Sequence, residues 1–94
     1  MGTKAFIGIH GIDIERGFTL PTFAEAELVS IMIKKSKKTI ILADNSKFGK
    51  ISLYNVDDII DYIDVIITDA KTDKKYINYF KQKNIEMVIA EYHK

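Results

Sequence analysis

The chain has 94 residues, 47% of them apolar and 29% charged, which suits one domain and argues against disorder. Fourteen basic residues against thirteen acidic ones leave a formal charge of +1, and Arg16 is the single arginine, so direct reading of DNA by this chain is disfavoured. Cysteine is absent, which removes disulfides, thiolate metal sites and cysteine nucleophiles; no apolar run reaches the length of a membrane span and residues 1–4 begin no secretory signal, so a cytoplasmic protein is expected.

Residues 4–9 read KAFIGI and predict a buried strand. Residues 11–21 follow as a loop punctuated by Gly17 and Pro21. A helix then starts at Thr22, whose hydroxyl and Glu25 three residues on form a capping box. Ala24, Leu28 and Ile31 are spaced for one helical face, widened by Val29, Met32 and Ile33, so the helix is expected to be mostly buried. Lys34, Lys35, Lys37 and Lys38 read as its solvated end.

Residues 39–43 (TIILA) form an apolar, β-branched run that predicts a parallel strand covered on both faces. Residues 44–49 (DNSKFG) are the loop leaving it. Residues 51–56 admit a short edge strand and residues 57–62 one helical turn. Residues 64–68 (DVIIT) predict another buried strand. Thr72 is the expected cap of a helix running to Lys83, with Tyr76, Tyr79, Phe80 and Lys83 inward and Asn84 as its left-handed stop. Residues 86–90 (EMVIA) are the last strand. The alternation predicts an α/β domain with a largely parallel sheet flanked by helices, a Rossmann-like arrangement with right-handed crossovers.

In such sheets ligands bind beyond the carboxyl ends of the strands. That rule selects His10 and Gly11 after the first strand, residues 44–47 after the second, and Asp69 after the third. Thr22, at a helix start, offers backbone N–H groups to an anion. Ser46 and Lys47 place a hydroxyl and an ammonium side by side, suited to a phosphate or a sugar hydroxyl. Equally, Ser46 caps a short turn and Lys47 is solvated. Glu25 has a structural task in the capping box. Glu27, among apolar residues, stands either at the helix rim or toward a ligand. Asp13 and Glu15 read as solvated. His10 and His93 lie far apart without cysteines, so neither a metal site nor a nucleophilic triad is expected. The glycines match no phosphate-binding signature. No cofactor is called for.

Three stretches are familiar together: FIGIHGIDIERGFTLPTFAEAEL (residues 6–28), TIILADNSKFGKISL (residues 39–53) and DVIITD (residues 64–69) followed by EMVIA. They resemble the C-terminal effector-binding domain of DeoR-family transcriptional regulators over nearly the whole chain. The resemblance implies a fold similar to ribose-5-phosphate isomerase. It implies a sensor for a phosphorylated sugar, such as a fructose, tagatose, galactosamine or glycerol phosphate, within a bacterial repressor of a sugar-catabolic operon. Such regulators act as homo-oligomers and grip operator DNA through an N-terminal winged helix-turn-helix. That DNA-binding domain is absent from residues 1–94, as is the Gly/Thr-rich loop with which the family helps cradle phosphate. The chain is therefore expected to be a single domain, the C-terminal part of the sensor.

By the same resemblance, Lys47 stands where the isomerase has a substrate-contacting lysine. Ile7 and His10 stand at two of its aspartates, which argues against isomerisation. The helix bearing Glu25 and Glu27 is similar to the one carrying the enzyme's catalytic glutamate, with Glu27 the nearer match. The isomerase's preceding glycine-rich segment is replaced by residues 19–22. The implied effector contacts are Lys47, His10, Gly11, Glu27, Ser46 and Thr22. Two other classes compete: a fragment of a sugar-phosphate isomerase, and a bare oligomerisation module.

Overall fold

A computed structural model describes residues 3–91; His93 lies outside them. Seven strands and two helices build two sheets. Strand β1 (Lys4–Gly8) opens the chain, followed by β2 (Gly11–Asp13), β3 (Gly17–Leu20), helix α1 (Phe23–Lys35) and β4 (Lys38–Leu42). A 3₁₀ turn (Asn45–Lys47), β5 (Tyr54–Asn55), a second 3₁₀ turn (Ile60–Tyr62), β6 (Val65–Asp69), α2 (Lys74–Gln82) and β7 (Glu86–Ala90) complete it.

The principal sheet has the order β1-β4-β6-β7, and all three of its pairings are parallel. The predicted parallel α/β architecture is therefore present. Every step along this sheet runs in the same direction. Right-handed crossovers then put both helices on the same face. The core shows this directly: Ala5, Ile7 and Ile9 from the first strand and its end, Ile41 and Ile66 from β4 and β6, cluster with Ala26 and Ile33 of α1 and with Tyr76 and Phe80 of α2.

The alternate residues point the other way. Phe6 is paired with Ile40, and Ile40 with Val65; Leu42 is paired with Ile67, and Ile67 with Val88. No helix of the described residues covers this second face; Phe6 and Leu42 are 58% and 42% exposed on it, while Ile40 and Val65 are buried. The expectation that the first strand is buried fails here: β1 is an edge strand with one buried face, because no described strand pairs beyond it.

The expected loop over residues 11–21 is instead a β-hairpin. β2 and β3 pair antiparallel, and β5 extends them to a three-stranded sheet. The Asp13 carboxylate accepts from the Glu15 and Arg16 backbone N–H groups, at 3.0 and 2.8 Å, and Gly17 turns the chain at φ 78°. Ile12, Phe18 and Leu20 then drop into the main core. Turn residues dominated the sequence pattern, yet the apolar residues between them decide the structure.

Both helices depart from expectation in detail. α1 buries only Ala26 and Ile33. Its anticipated core stripe, Ala24, Leu28 and Ile31, is exposed. Sidedness is the reason: α1 has one neighbour layer, and a 3.6-residue period turns Leu28 away from the face that carries Ala26 and Ile33. α2 is capped by Asp73, which accepts from the Lys75 N–H at 2.9 Å. Thr72 is buried, and its hydroxyl lies 2.7 Å from that of Thr68. Tyr76 and Phe80 face inward, while Lys83 is exposed, with its ammonium 5.4 Å from the Tyr79 ring centroid. Asn84 does end the turn in the left-handed region, at φ 63°.

Candidate functional site

A cavity of about 550 Å³ opens at the carboxyl ends of the parallel strands. Gly8, Ile9 and His10 reach it from the end of β1. Leu42, Ala43, Asp44 and Lys47 come from β4 and the turn after it, and Ile67, Thr68 and Asp69 from β6. Glu25 approaches from the first turn of α1. The volume lies within the usual range for small-molecule sites. Leu42 and Ile67 also belong to the uncovered sheet face, so the cavity runs onto that face.

The turn carrying Lys47 is held by two carboxylates. Asp44 accepts from the Ser46 N–H at 2.8 Å and, over a very short separation, from the Ser46 hydroxyl. These bonds hold the Asp44 carboxyl below the usual carboxylate range, the hydroxyl contributing most. Asp69 accepts from the Asn45 N–H at 2.8 Å, from the Asn45 side-chain amide at 3.1 Å, and from the Lys71 N–H at 2.9 Å. Asp69 too is held low, chiefly by the Asn45 backbone bond. Both groups are thus anionic at neutral pH. Their role is to pin residues 45–47 across the ends of β4 and β6, which fixes the stem from which Lys47 extends. Among the described residues Lys47 is the only lysine or arginine lining the cavity, and its charge also helps to hold the Asp44 carboxyl low.

Glu25 accepts from the Thr22 hydroxyl at 2.8 Å, while that oxygen accepts from the Glu25 N–H at 3.1 Å. The capping pair read from the sequence is present, it engages one Glu25 carboxylate oxygen, and Glu25 lines the cavity.

The six residues named from the sequence divide here. His10 and Lys47 line the cavity. Ser46 and Thr22 do not; their hydroxyls are engaged by Asp44 and Glu25. Gly11 does not line it either: a Cβ there would run into the Lys50 carbonyl and the Thr19 hydroxyl, so its missing side chain serves hairpin packing. Glu27, two residues and about 200° around the helix from Glu25, is exposed and off the cavity. Ile7 is 4% exposed and sits in the core rather than at the site. Sequence reasoning underused Asp44 and Asp69, although a carboxylate directly after each of two parallel strands was visible.

The chemistry available is recognition. One lysine, one imidazole and three carboxylates, Glu25, Asp44 and Asp69, stand around an apolar floor. Such a set can bind a small hydroxylated molecule, with Lys47 as the contact for an anionic group on it. No serine, histidine and carboxylate converge as a nucleophilic triad among the described residues. No described helix is long and apolar enough to cross a membrane.

Comparison with known proteins adds a family. The DeoR C-terminal sensor domain model matches residues 2–70. The chain is 39% identical over 85 residues to an uncharacterized HTH-type transcriptional regulator, FruR, of Bacillus subtilis (strain 168), which covers 90% of the chain and 33% of that protein. It is 32% identical over 88 residues to the HTH-type transcriptional repressor GlcR of the same organism, covering 94% and 33%. It is 35% identical over 68 residues to the HTH-type transcriptional regulator GlpR of Haloferax volcanii, covering 72% and 26%. The chain spans between a quarter and a third of the length of these curated relatives.

Proposed function

The chain belongs to the DeoR C-terminal sensor domain family of transcriptional regulators, and on that premise we propose that it binds a phosphorylated sugar in the cavity at the carboxyl ends of β1, β4 and β6. Lys47 meets the phosphate or a sugar oxygen. His10 and the Glu25 carboxylate hydrogen-bond sugar hydroxyls. Glu25 takes the place that the sequence gave to Glu27, because Glu25 is the glutamate at the cavity. Ser46, Thr22 and Gly11 act on the site only through the geometry of the loops that hold it.

One observation carries this reading: Lys47, at the mouth of a cavity of ligand size, on a turn that two ionised aspartates hold rigid. A lysine so placed serves an anion better than it serves stability.

The domain senses rather than turns over. A sensor needs differential affinity between two states of the regulator, and a 5- to 150-fold change in operator affinity requires only about 1–3 kcal/mol of coupling. Operator contact, cytoplasmic location, repression and homo-oligomerisation belong to the whole regulator in this proposal. The described residues form the C-terminal part of the sensor, and the preceding part packs on the open sheet face. That parallel sheets are otherwise covered on both sides favours this division.

The test is a thermal-shift and calorimetric screen against phosphates of fructose, tagatose, galactosamine and glycerol, with free phosphate and the unphosphorylated sugars beside them. Ligand at 100 times its dissociation constant adds about 2.7 kcal/mol. One phosphosugar should stand out, and Lys47→Ala should weaken it by about 10- to 100-fold while shifting unfolding by less than about 0.5 kcal/mol. Equal response to all sugars, or full affinity in Lys47→Ala, would remove Lys47 and the site with it. A coupled isomerase assay separates the enzyme alternative: turnover would overturn the sensor.

A further inference from the structure

Gly8 is a glycine that the fold does not ask for. It closes β1, and the described glycines of positive φ are Gly17 and Gly49 instead. Its pairing with Leu42 continues the β1-β4 register, so no bulge needs it. A Cβ built at Gly8 meets nothing within 4 Å, whereas one at Gly11 runs into the Lys50 carbonyl. Glycine in a strand costs backbone entropy and gives up side-chain contacts. Where neither φ, nor a bulge, nor a neighbour requires it, it marks a place where something else approaches the backbone closely.

The sheet shows where that place lies. Gly8, Leu42, Ile67 and Val88 are register partners across the four parallel strands and make one row at their carboxyl ends. Partners in a row present their side chains on one face, here the face that carries Phe6. Three branched side chains therefore stand in line, and the fourth position, on the edge strand, is vacant. The row drops by one side chain at Gly8. Gly8, Leu42 and Ile67 all line the cavity, so this step is part of its wall. None of the three brings a polar side chain to it. The step suits the carbon part of a ligand rather than its phosphate.

We propose that the step at Gly8 is the size-selective subsite of the cavity: it receives the carbon skeleton of a hexose phosphate and favours six-carbon phosphates over three-carbon ones. The subsite presupposes the phosphosugar reading of the cavity. Lys47, on the turn after β4, holds the phosphate, and the sugar carbons extend over Leu42 to the edge strand. A glycerol phosphate on Lys47 makes its polar contacts without using the step. Valine at position 8 would return three carbons to the step, the number by which a hexose exceeds glycerol. Gly8 thus acts through the space it leaves, and Lys47 through its charge.

Calorimetric titration of the chain with fructose, tagatose and glycerol phosphates separates these two parts. The wild type should bind one of the hexose phosphates more tightly than glycerol phosphate. Gly8→Val should weaken that hexose phosphate at least about tenfold, as a misfit of a methylene or more does in an apolar pocket, with Gly8→Ala in between. Glycerol phosphate should bind Gly8→Val as it binds the wild type. Lys47→Ala should weaken both sizes alike. Valine suits a strand, so ligand-free Gly8→Val should unfold at the same temperature as the wild type or higher. Full hexose phosphate affinity in Gly8→Val, equal losses for both sizes, or a wild type that prefers glycerol phosphate would overturn the subsite and leave the phosphosugar reading standing. Binding of neither size by the wild type would overturn that reading and the subsite with it. In the whole regulator, a lower unfolding temperature of ligand-free Gly8→Val would show that protein rather than ligand fills the step, which would also overturn the subsite.

Discussion

The two faces of the four-stranded sheet are built from the same kinds of residue and end up unlike. One face presents Ala5, Ile7, Ile41 and Ile66 to both helices and to the β2-β3-β5 hairpin layer. The other presents Phe6, Ile40, Leu42 and Val65, paired in register; no described helix lies over them, and Phe6 and Leu42 are exposed although Ile40 and Val65 are buried. Composition does not cause the difference. Chain direction does: each crossover steps the same way along the sheet, so handedness sends every connection to one side. Stability is therefore concentrated on one side of the sheet, and the other side is available for contacts that the described residues do not make.

The largest expected effect tests that asymmetry directly. Phe80 is 1% exposed and packs its ring 5.7 Å from Phe18. Phe80→Ala should cost about 3–5 kcal/mol. Phe6→Ala, the same chemical change on the open face, should cost less than about 1 kcal/mol. Urea unfolding of the two variants measures both. Similar losses would mean that the open face is covered in solution and that the comparison is wrong.

A smaller effect sharpens where the covered side ends. Gly11 begins β2, and its Cα stands against the Lys50 carbonyl and the Thr19 hydroxyl. Thr19 is wholly buried, and its oxygen accepts from the Ser52 N–H at 2.8 Å. Gly11→Ala must push backbone apart there, and a cost of about 1–3 kcal/mol follows from overpacking. Gly8, next to the cavity, has open space at its missing Cβ. Gly8→Ala should change unfolding by less than about 0.5–1 kcal/mol. If Gly11→Ala were as mild as Gly8→Ala, the hairpin would be a loose appendage rather than part of the packed side.

These contrasts also explain how far the sequence could be read. The four parallel strands were legible because apolar, β-branched runs such as residues 39–42 and 65–68 read as strand, although the cover expected on both faces is not met: Leu42 is exposed. The capping pair at Thr22 and Glu25 and the turn at Asn84 were legible because they depend on neighbours in the chain. The hairpin was hidden, since Gly17 and Asp13 speak for a turn and only the core reveals what Ile12 and Phe18 do. The direction in which α1 faces was also hidden. Its apolar residues cover most of the circumference, so periodicity could not choose between the Ala26–Ile33 side and the Leu28–Ile31 side. The site was half legible: the rule of strand ends found His10 and Lys47. Which glutamate reaches the cavity turns on a single 100° step per residue, which needs the helix to be placed.

The smallest effect concerns the cavity, where the two faces of the sheet meet. Asp44 and Asp69 are both held below the ordinary carboxylate range by hydrogen bonds from Ser46 and Asn45. A depressed folded-state value means that the native turn binds protons less readily than the unfolded chain does. Its contribution is then fully present above the unfolded carboxylate value of about 4 and is lost as pH falls through the lower folded value. Both carboxylates are solvent-accessible, so global unfolding should hardly register the change. The local structure should. Between about pH 5 and pH 2, the protection of the Asn45, Ser46 and Lys71 amides, taken relative to the intrinsic exchange rate at each pH, should fall, since those N–H groups donate to the two aspartates. Protection in β4 and β6 should be kept over the same range. Uniform loss of protection would show that the turn is not separately held. Unchanged protection at Asn45 would show that Asp69 does not clamp it, and Lys47 would lose the rigid stem on which anion binding at the cavity depends.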